Sequence, residues 1–216
     1  MSHLALVKTL SHLQEEQRHI EEVEVAGFGL SVVRGSVTEI SGGPSSGKTS
    51  FALSLLAKLT AEGEICAAVD AAGRFDPCTA TQAGVKLENL LWIRCGGDIE
   101  KTFMSADYLV QAKGFGAIWL DLCGMPVDKL RMVPKTYWFR FRTRIKETPT
   151  IMLTTAPEHV TGSASQGTFV FEREKTKWSG SGKFRLLREF QLRMHEGKQL
   201  FGKEMRSLIE MDYSEV

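Results

Sequence analysis

No segment of this chain is apolar for long enough to cross a bilayer, and its N-terminus carries no long apolar stretch. A cytoplasmic protein without a membrane partner is therefore expected. Cysteine is sparse. Cys66, Cys78, Cys95 and Cys123 are widely spaced, form no Cys-x-x-Cys pair, and mostly sit in or beside apolar runs. That pattern fits buried free thiols in a reducing compartment, not a metal cluster or a disulfide framework. Charge of one sign is also lacking: 27 Lys and Arg stand against 26 Asp and Glu, a net charge of +1. No global basic field exists, so any nucleic-acid surface has to be local. There is no internal repeat and no low-complexity linker. His19, His159 and His195 are isolated from one another and read as surface or structural residues.

What is present centres on residues 35 to 50. A short apolar run from Val37 to Ile40 reads as a buried strand, and it breaks into glycine-rich sequence before an apolar, helix-like stretch from Lys48. Gly42 to Thr49 fits the phosphate-loop pattern of Gly, four residues, then Gly-Lys-Thr. A loop wrapped around phosphates points its backbone N–H groups inward, which favours glycine where a Cβ would clash. The helix that follows offers its N-terminal donors to the anion. The candidate nucleotide-binding residues are Gly42, Gly43, Pro44, Ser45, Ser46, Gly47, Lys48, Thr49 and Ser50. Lys48 would neutralise the outer phosphates, and the Thr49 hydroxyl would ligate magnesium.

At 216 residues the chain suits one core domain with arms. Residues 1 to 22 read as a helical arm with Leu4, Val7, Leu10 and Leu13 on one stripe, able to pack on its own core or on a neighbouring subunit. Residues 23 to 33 read as a strand or extended lead-in. Buried strands are expected at 65–70, 90–95, 117–121 and 151–155, with helices between them capped by residues such as Asp76 and Asp98. A helix over 135–147 combines Trp138, Phe141 and Ile145 with Arg140, Arg142, Arg144 and Lys146. The alternation gives an α/β fold, a mostly parallel twisted sheet with helices on both faces. Residues 158–168, small and polar, are expected to be a mobile loop. Residues 169–178 and 184–194 are expected to form an antiparallel hairpin that extends the sheet, closing a core over 23–196. Residues 197–216 read as a polar tail with one possible helical turn.

A phosphate loop is usually completed by an acidic residue at the end of a buried strand. Asp121 follows Ala117-Ile118-Trp119-Leu120 and suits a magnesium role; Asp70, also at a strand end, competes for it. Beyond these residues the sequence resembles the bacterial recombinase RecA family. The resemblance runs through Gly43-Pro44-Ser45-Ser46-Gly47-Lys48-Thr49, then Val69-Asp70-Ala71-Ala72-Gly73-Arg74-Phe75-Asp76-Pro77. It continues through Ala83-Gly84-Val85, Glu88-Asn89-Leu90-Leu91 and Ile118-Trp119-Leu120-Asp121. It implies a RecA-type P-loop NTPase core, ATP and Mg2+ at the loop with Thr49 and Asp121 on the metal side, and a DNA-repair setting.

The departures matter as much. The family carries a water-activating glutamate two residues after the aspartate aligned with Asp70; here that residue is Ala72, which cannot polarise water. The family's phosphate-sensing glutamine at the end of the fifth strand is replaced by Thr154-Thr155-Ala156. The segment between the fourth and fifth strands is short, so the first DNA loop is expected to be truncated. The loop over 158–168 stands where the second would be but has little charge. A short RecA-like chain without the glutamate resembles ImuA, the RecA-related accessory factor of bacterial mutagenic repair cassettes. Tyr137-Trp138-Phe139-Arg140-Phe141-Arg142 and Thr148-Pro149-Thr150 look like that group. The resemblance implies DNA-repair or polymerase-type partners and an accessory role in the SOS response or translesion synthesis, with weak or absent ATP hydrolysis. Two alternatives stay open: an assembly module whose loop is a relic and which docks partners through residues such as Trp138 and Phe139, and a filament-forming recombinase. The latter would bind single-stranded DNA through Arg140, Arg142, Arg144 and Lys146 or Arg173, Lys175, Lys177 and Lys183, and self-associate through the N-terminal helix. The plain reading of those charges is a solvated face.

Overall fold

The computed structural model describes residues 21–180, 186–196 and 204–210. The expected N-terminal helix lies outside the described residues except at its last two positions, where Glu22 already opens a strand. Strands β1 (Glu22–Val25) and β2 (Leu30–Val33) form an antiparallel ribbon where a single lead-in was expected. Then come β3 (Val37–Ser41), helix α1 (Lys48–Ala61), β4 (Cys66–Asp70), α2 (Pro77–Gln82), β5 (Leu90–Arg94) and α3 (Ile99–Ala112). The chain continues through β6 (Ala117–Asp121), two helices α4 (Val127–Arg131) and α5 (Lys135–Ile145), and β7 (Ile151–Ala156). It closes with β8 (Gly167–Ser179), β9 (Leu186–Glu196) and β10 (Glu204–Glu210).

Eight of these strands make one sheet in the order β10-β9-β8-β3-β7-β6-β4-β5. The pairs from β8 to β5 are parallel, while β8–β9 and β9–β10 are antiparallel. The α/β class with an antiparallel C-terminal hairpin is as the pattern predicts. Every residue of β3, β4, β6 and β7 is buried; β4, β6 and β7 therefore read as largely apolar runs, whereas β3 also buries Thr38, Glu39 and Ser41. Successive side chains leave a strand on opposite faces. Trp119 therefore enters one core, with Phe51, Leu55, Leu56 and Leu59 of α1 and the β1–β2 ribbon. Ile118 and Leu120 enter the other, with Phe103, Leu109 and Val110 of α3 and Trp138, Phe141 and Ile145 of α5. Phe28, Phe51 and Phe171 meet at centroid distances of 5.0, 6.0 and 5.6 Å, tying ribbon, helix and hairpin together.

The parallel register aligns the strand ends. Ser41 pairs with Ala156, Asp121 with Thr155, and Asp70 with Asp121, so the loops after β3, β4, β6 and β7 all leave from one edge. That edge is where ligands bind in open α/β sheets. Among the described residues no helix is long and apolar enough to cross a membrane.

Two expectations are corrected. Part of the polar tail is a strand: β10 pairs with β9, placing Met205 opposite Met194 and Ser207 opposite Leu192. Ser207 donates its hydroxyl to the Gly27 carbonyl of the ribbon. The alternation in this strand is hidden in the sequence because Ser207 stands on the same register as Met205 while the exposed Leu208 stands on the other. The second correction concerns residues 158–168, which form an ordered, anchored loop. The carboxylate of Glu39, on β3 and fully buried, accepts hydrogen bonds from Val160 N at 2.7 Å, Thr161 N at 3.3 Å and Thr161 Oγ1 at 2.6 Å. His159 Nδ1 reaches the same carboxylate. The hydroxyls of Thr161, Ser165 and Thr168 continue the network at 2.8 Å spacings. A buried carboxylate requires such donors, and small side chains let the loop come close enough to supply them.

Thr161→Val keeps the shape of that side chain and removes its donor to the carboxylate. It is expected to lower the unfolding free energy by about 1.5–3 kcal/mol, read from urea denaturation. An unchanged midpoint would show that the loop is not held through Thr161.

Candidate functional site

Between β3 and α1 the chain turns through Gly42 to Gly47 in a conformation that two glycines make possible. Gly42 has φ 150°, and a Cβ there would lie 2.2 Å from the Phe171 carbonyl oxygen of β8. Gly47 has φ 86°, and its Cβ would meet Leu192 Cδ1 of β9 at 2.9 Å. The hairpin thus backs the loop, and α1 opens at Lys48 with its first amides facing outward. Gly42, Pro44, Ser45, Ser46, Gly47, Lys48, Thr49 and Ser50 line one cavity of about 410 Å³. Of the nine expected residues, only Gly43 is not part of its wall, and its carbonyl accepts from Lys48 at 2.6 Å.

The Lys48 ammonium also donates to the Gly42 carbonyl at 2.6 Å and to Ser46 Oγ at 3.1 Å. Burial lowers its pKa; the charge of Asp121 opposes that shift and the charge of Arg74 adds to it. Thr49, in the first turn of α1, is exposed and lines the cavity. Asp121 sits behind the cavity wall, 5% exposed, with Oδ1 accepting from Cys123 N at 3.0 Å and Thr155 Oγ1 at 2.8 Å. Burial raises its pKa above the usual carboxylate value.

Asp70, the competing acid, is occupied by its own turn. It accepts from Gly73 N at 2.7 Å, Arg74 N at 2.9 Å, Phe75 N at 3.1 Å and Trp92 Nε1 at 3.4 Å. This leaves Asp121 as the acid beside Lys48. Among the described residues no group of three or more His, Cys, Asp or Glu gathers to hold a metal. A magnesium ion held by phosphate oxygens, water and the Thr49 hydroxyl, with Asp121 behind it, needs none, and the hard oxygen donors suit that ion.

Ala72 stands beside Gly124, where an added Cβ would lie 3.2 Å from the Ala72 methyl, and Gly124 lines the cavity. The methyl thus lies next to a residue of the cavity wall, is not itself part of that wall, and offers no acceptor for a water proton. At the end of β7, Thr155 accepts from Trp119 Nε1 at 2.9 Å while donating to Asp121, and Thr154 Oγ1 is buried without a partner. This strand end serves to position Asp121.

The basic segment of α5 is largely engaged. Arg140 and Arg144 both pair with Asp107 of α3, and Arg142 donates to the Ser163 carbonyl. Trp138 is core, 1% exposed, so it is no docking surface; Phe139 is exposed. On β8, Lys177 pairs with Glu189, and Lys183 lies outside the described residues. All four cysteines are free thiols, and Cys66 and Cys123 are pushed up to about 12 by burial.

Sequence reasoning missed Arg74, Cys123, Gly124, Pro157 and Phe190, which complete the cavity wall. Cys123, Gly124 and Pro157 follow directly on the strand ends of β6 and β7, a signal that was available. Phe190 arrives from the hairpin, with no local signal.

Comparison with known proteins places this arrangement in a family. The model of the RecA N-terminal domain matches residues 19–131. The chain is 33% identical over 120 residues to Protein RecA of Rhodospirillum rubrum, covering 52% of this chain and 32% of that protein. It is 43% identical over 84 residues to Protein RecA of Mesorhizobium japonicum, covering 36% of this chain and 23% of the relative. The matched region thus spans a third or less of these relatives' length.

The raised pKa of Asp121 makes a prediction about stability. Folding favours its protonated form, so the folded state binds more protons than the unfolded one above the ordinary carboxylate pKa of about 3.9. Stability contributed by this residue is then lost as pH rises through the folded-state value. Asp121→Asn keeps both acceptor contacts and removes the dependence. The melting temperature of the wild type should fall relative to the variant on going from about pH 4 to pH 7. A variant less stable than wild type at pH 7 would show that the ionised carboxylate stabilises the fold.

Proposed function

This chain belongs to the RecA N-terminal domain family, and from that premise we propose that it is a RecA-like ATP-binding protein whose site holds nucleotide with weak or absent hydrolysis. The observation that carries this reading is the pairing of a loop whose residues line one cavity with an alanine, Ala72, beside the cavity-lining Gly124. The loop amides and the start of α1 bind phosphate oxygens, and Lys48 neutralises the outer phosphates. Thr49 and Asp121 hold Mg2+, which when bound screens the phosphate charge. No carboxylate replaces the one missing at Ala72, so no group at that position orients an attacking water.

The role we propose is that of an accessory factor in DNA repair, within the SOS response or translesion synthesis, working with DNA-repair or polymerase-type proteins in the manner of ImuA-like chains. The engaged arginines of α5 support protein partners over direct capture of single-stranded DNA. Self-association through residues 1–22 belongs to the same proposal. A second reading, an assembly module with a relic site, draws support from the Lys48 ammonium, which already bonds two loop carbonyls.

Titration with ATP and magnesium separates the two. Saturable binding that disappears in Lys48→Ala is expected. Turnover should lie about 10²-fold or more below that of a homologue carrying the glutamate, since a positioned general base contributes about 10²–10⁴. Ala72→Glu should raise it. Brisk DNA-stimulated hydrolysis by the wild type would overturn the proposal, and absence of binding would favour the relic site.

A further inference from the structure

The wall facing the phosphate loop carries a cation that the loop chemistry leaves unexplained. Arg74 lies in the turn after β4, whose backbone is fixed because the Asp70 carboxylate collects the N–H groups of Gly73, Arg74 and Phe75. Phe75 is drawn inward against Trp92 and Trp119, at 5.1 and 6.0 Å between centroids. Arg74 is left on the exposed side of the turn. Its side chain runs over Gly124: a Cβ added there would lie 2.8 Å from Arg74 Cδ and 3.4 Å from its Nη1. Arg74 and Lys48 line the same cavity.

Two features bear on this arginine. Among the described residues its guanidinium makes no hydrogen bond or ion pair, as is also true of Arg94 and Arg173, whereas Arg34, Arg131, Arg140, Arg144 and Arg193 each meet a carboxylate. No residue lining the cavity is acidic. Two cations thus face one space. Like charges so placed repel unless an anion lies between them. A planar guanidinium with five donors matches phosphate oxygens in pairs.

We propose that Arg74 is a second phosphate-binding residue of this site, contacting the terminal phosphate of a nucleoside triphosphate opposite Lys48 and selecting the triphosphate over the diphosphate. The assignment to the terminal phosphate follows from the lysine, which in a phosphate loop reaches the outer phosphates, so a cation beside it meets the same end of the ligand. The inference rests on the nucleotide-binding reading above. It gives the site with Ala72 a positive purpose: two cations grip the terminal phosphate while the group that would direct water at it is missing.

Calorimetric titration with ATP, ADP and inorganic tripolyphosphate, each with magnesium, tests this on wild type, Arg74→Gln and Arg74→Lys. Among the described residues the Arg74 side chain makes no hydrogen bond or ion pair, so both variants should melt as the wild type does. Arg74→Gln is expected to weaken ATP about tenfold or more and ADP less than about threefold, as for loss of one charge-assisted contact. Arg74→Lys should fall between, keeping charge and losing the fork. Wild-type ATP binding unchanged in Arg74→Gln, or weakened equally for ATP and ADP, overturns the assignment and leaves the nucleotide reading standing. Arg74-dependent binding of tripolyphosphate without binding of ATP upholds the cation pair and overturns the nucleotide reading. Binding of neither overturns both.

Discussion

A carboxylate taken out of water has to be met by donors, and in this protein that requirement shapes every loop around the site. Three acids are buried near the carboxyl edge of the parallel sheet, and each organises a different segment. Glu39 gathers the loop after β7. Asp70 gathers the turn after β4. Asp121 is held by the backbone after β6 and by Thr155 of the neighbouring strand. The cavity wall is what these three arrangements leave between them, with the phosphate loop as its floor.

The division of labour among the acids explains how the site keeps one half of its chemistry. In a hydrolytic RecA-type site, an acid near Asp70 would direct water and an acid near Asp121 would serve the metal. Here Asp70 is consumed by hydrogen bonds within its turn, and the position two residues on carries only a methyl group. Asp121 remains, poised by Thr155 and electrostatically linked to Lys48. On the proposed reading, the groups that would grip phosphate are in place, and the one that would direct water at it is not.

Much of this was legible in the sequence wherever the cause is local. The strands at Cys66–Asp70, Ala117–Asp121 and Ile151–Ala156 announce themselves because burial on both faces demands unbroken apolar runs. The Asp98 cap was readable from its place before the periodic stretch. The residues read as a phosphate loop lie close in sequence, and all but Gly43 line one cavity. What could not be read depends on distant partners. Glu39 and Thr161 are 122 positions apart, so a loop of small polar residues looked free when it was pinned. That Asp70 is taken up by its own turn while Asp121 stays beside Lys48 could not be told from their like places at strand ends. Strand β10 was hidden by Ser207 and Leu208, which break its alternation, and Trp138, counted as a possible docking residue, is drawn into the core by Phe103 and Phe141.

The backing of the phosphate loop by the hairpin has a consequence for how such chains diverge. Gly42 is required by the Phe171 carbonyl and Gly47 by Leu192 whether or not a nucleotide ever enters. A descendant that had abandoned nucleotide would still retain both glycines, because a side chain at Gly42 would collide with the Phe171 backbone and one at Gly47 would be held at a positive φ of 86°. The signature can outlive its use, and its glycines record packing. Drift in ligand use would register first in side chains that touch only the ligand's space, Thr49 and Arg74, and these are the positions by which binding and non-binding members of such a lineage can be told apart.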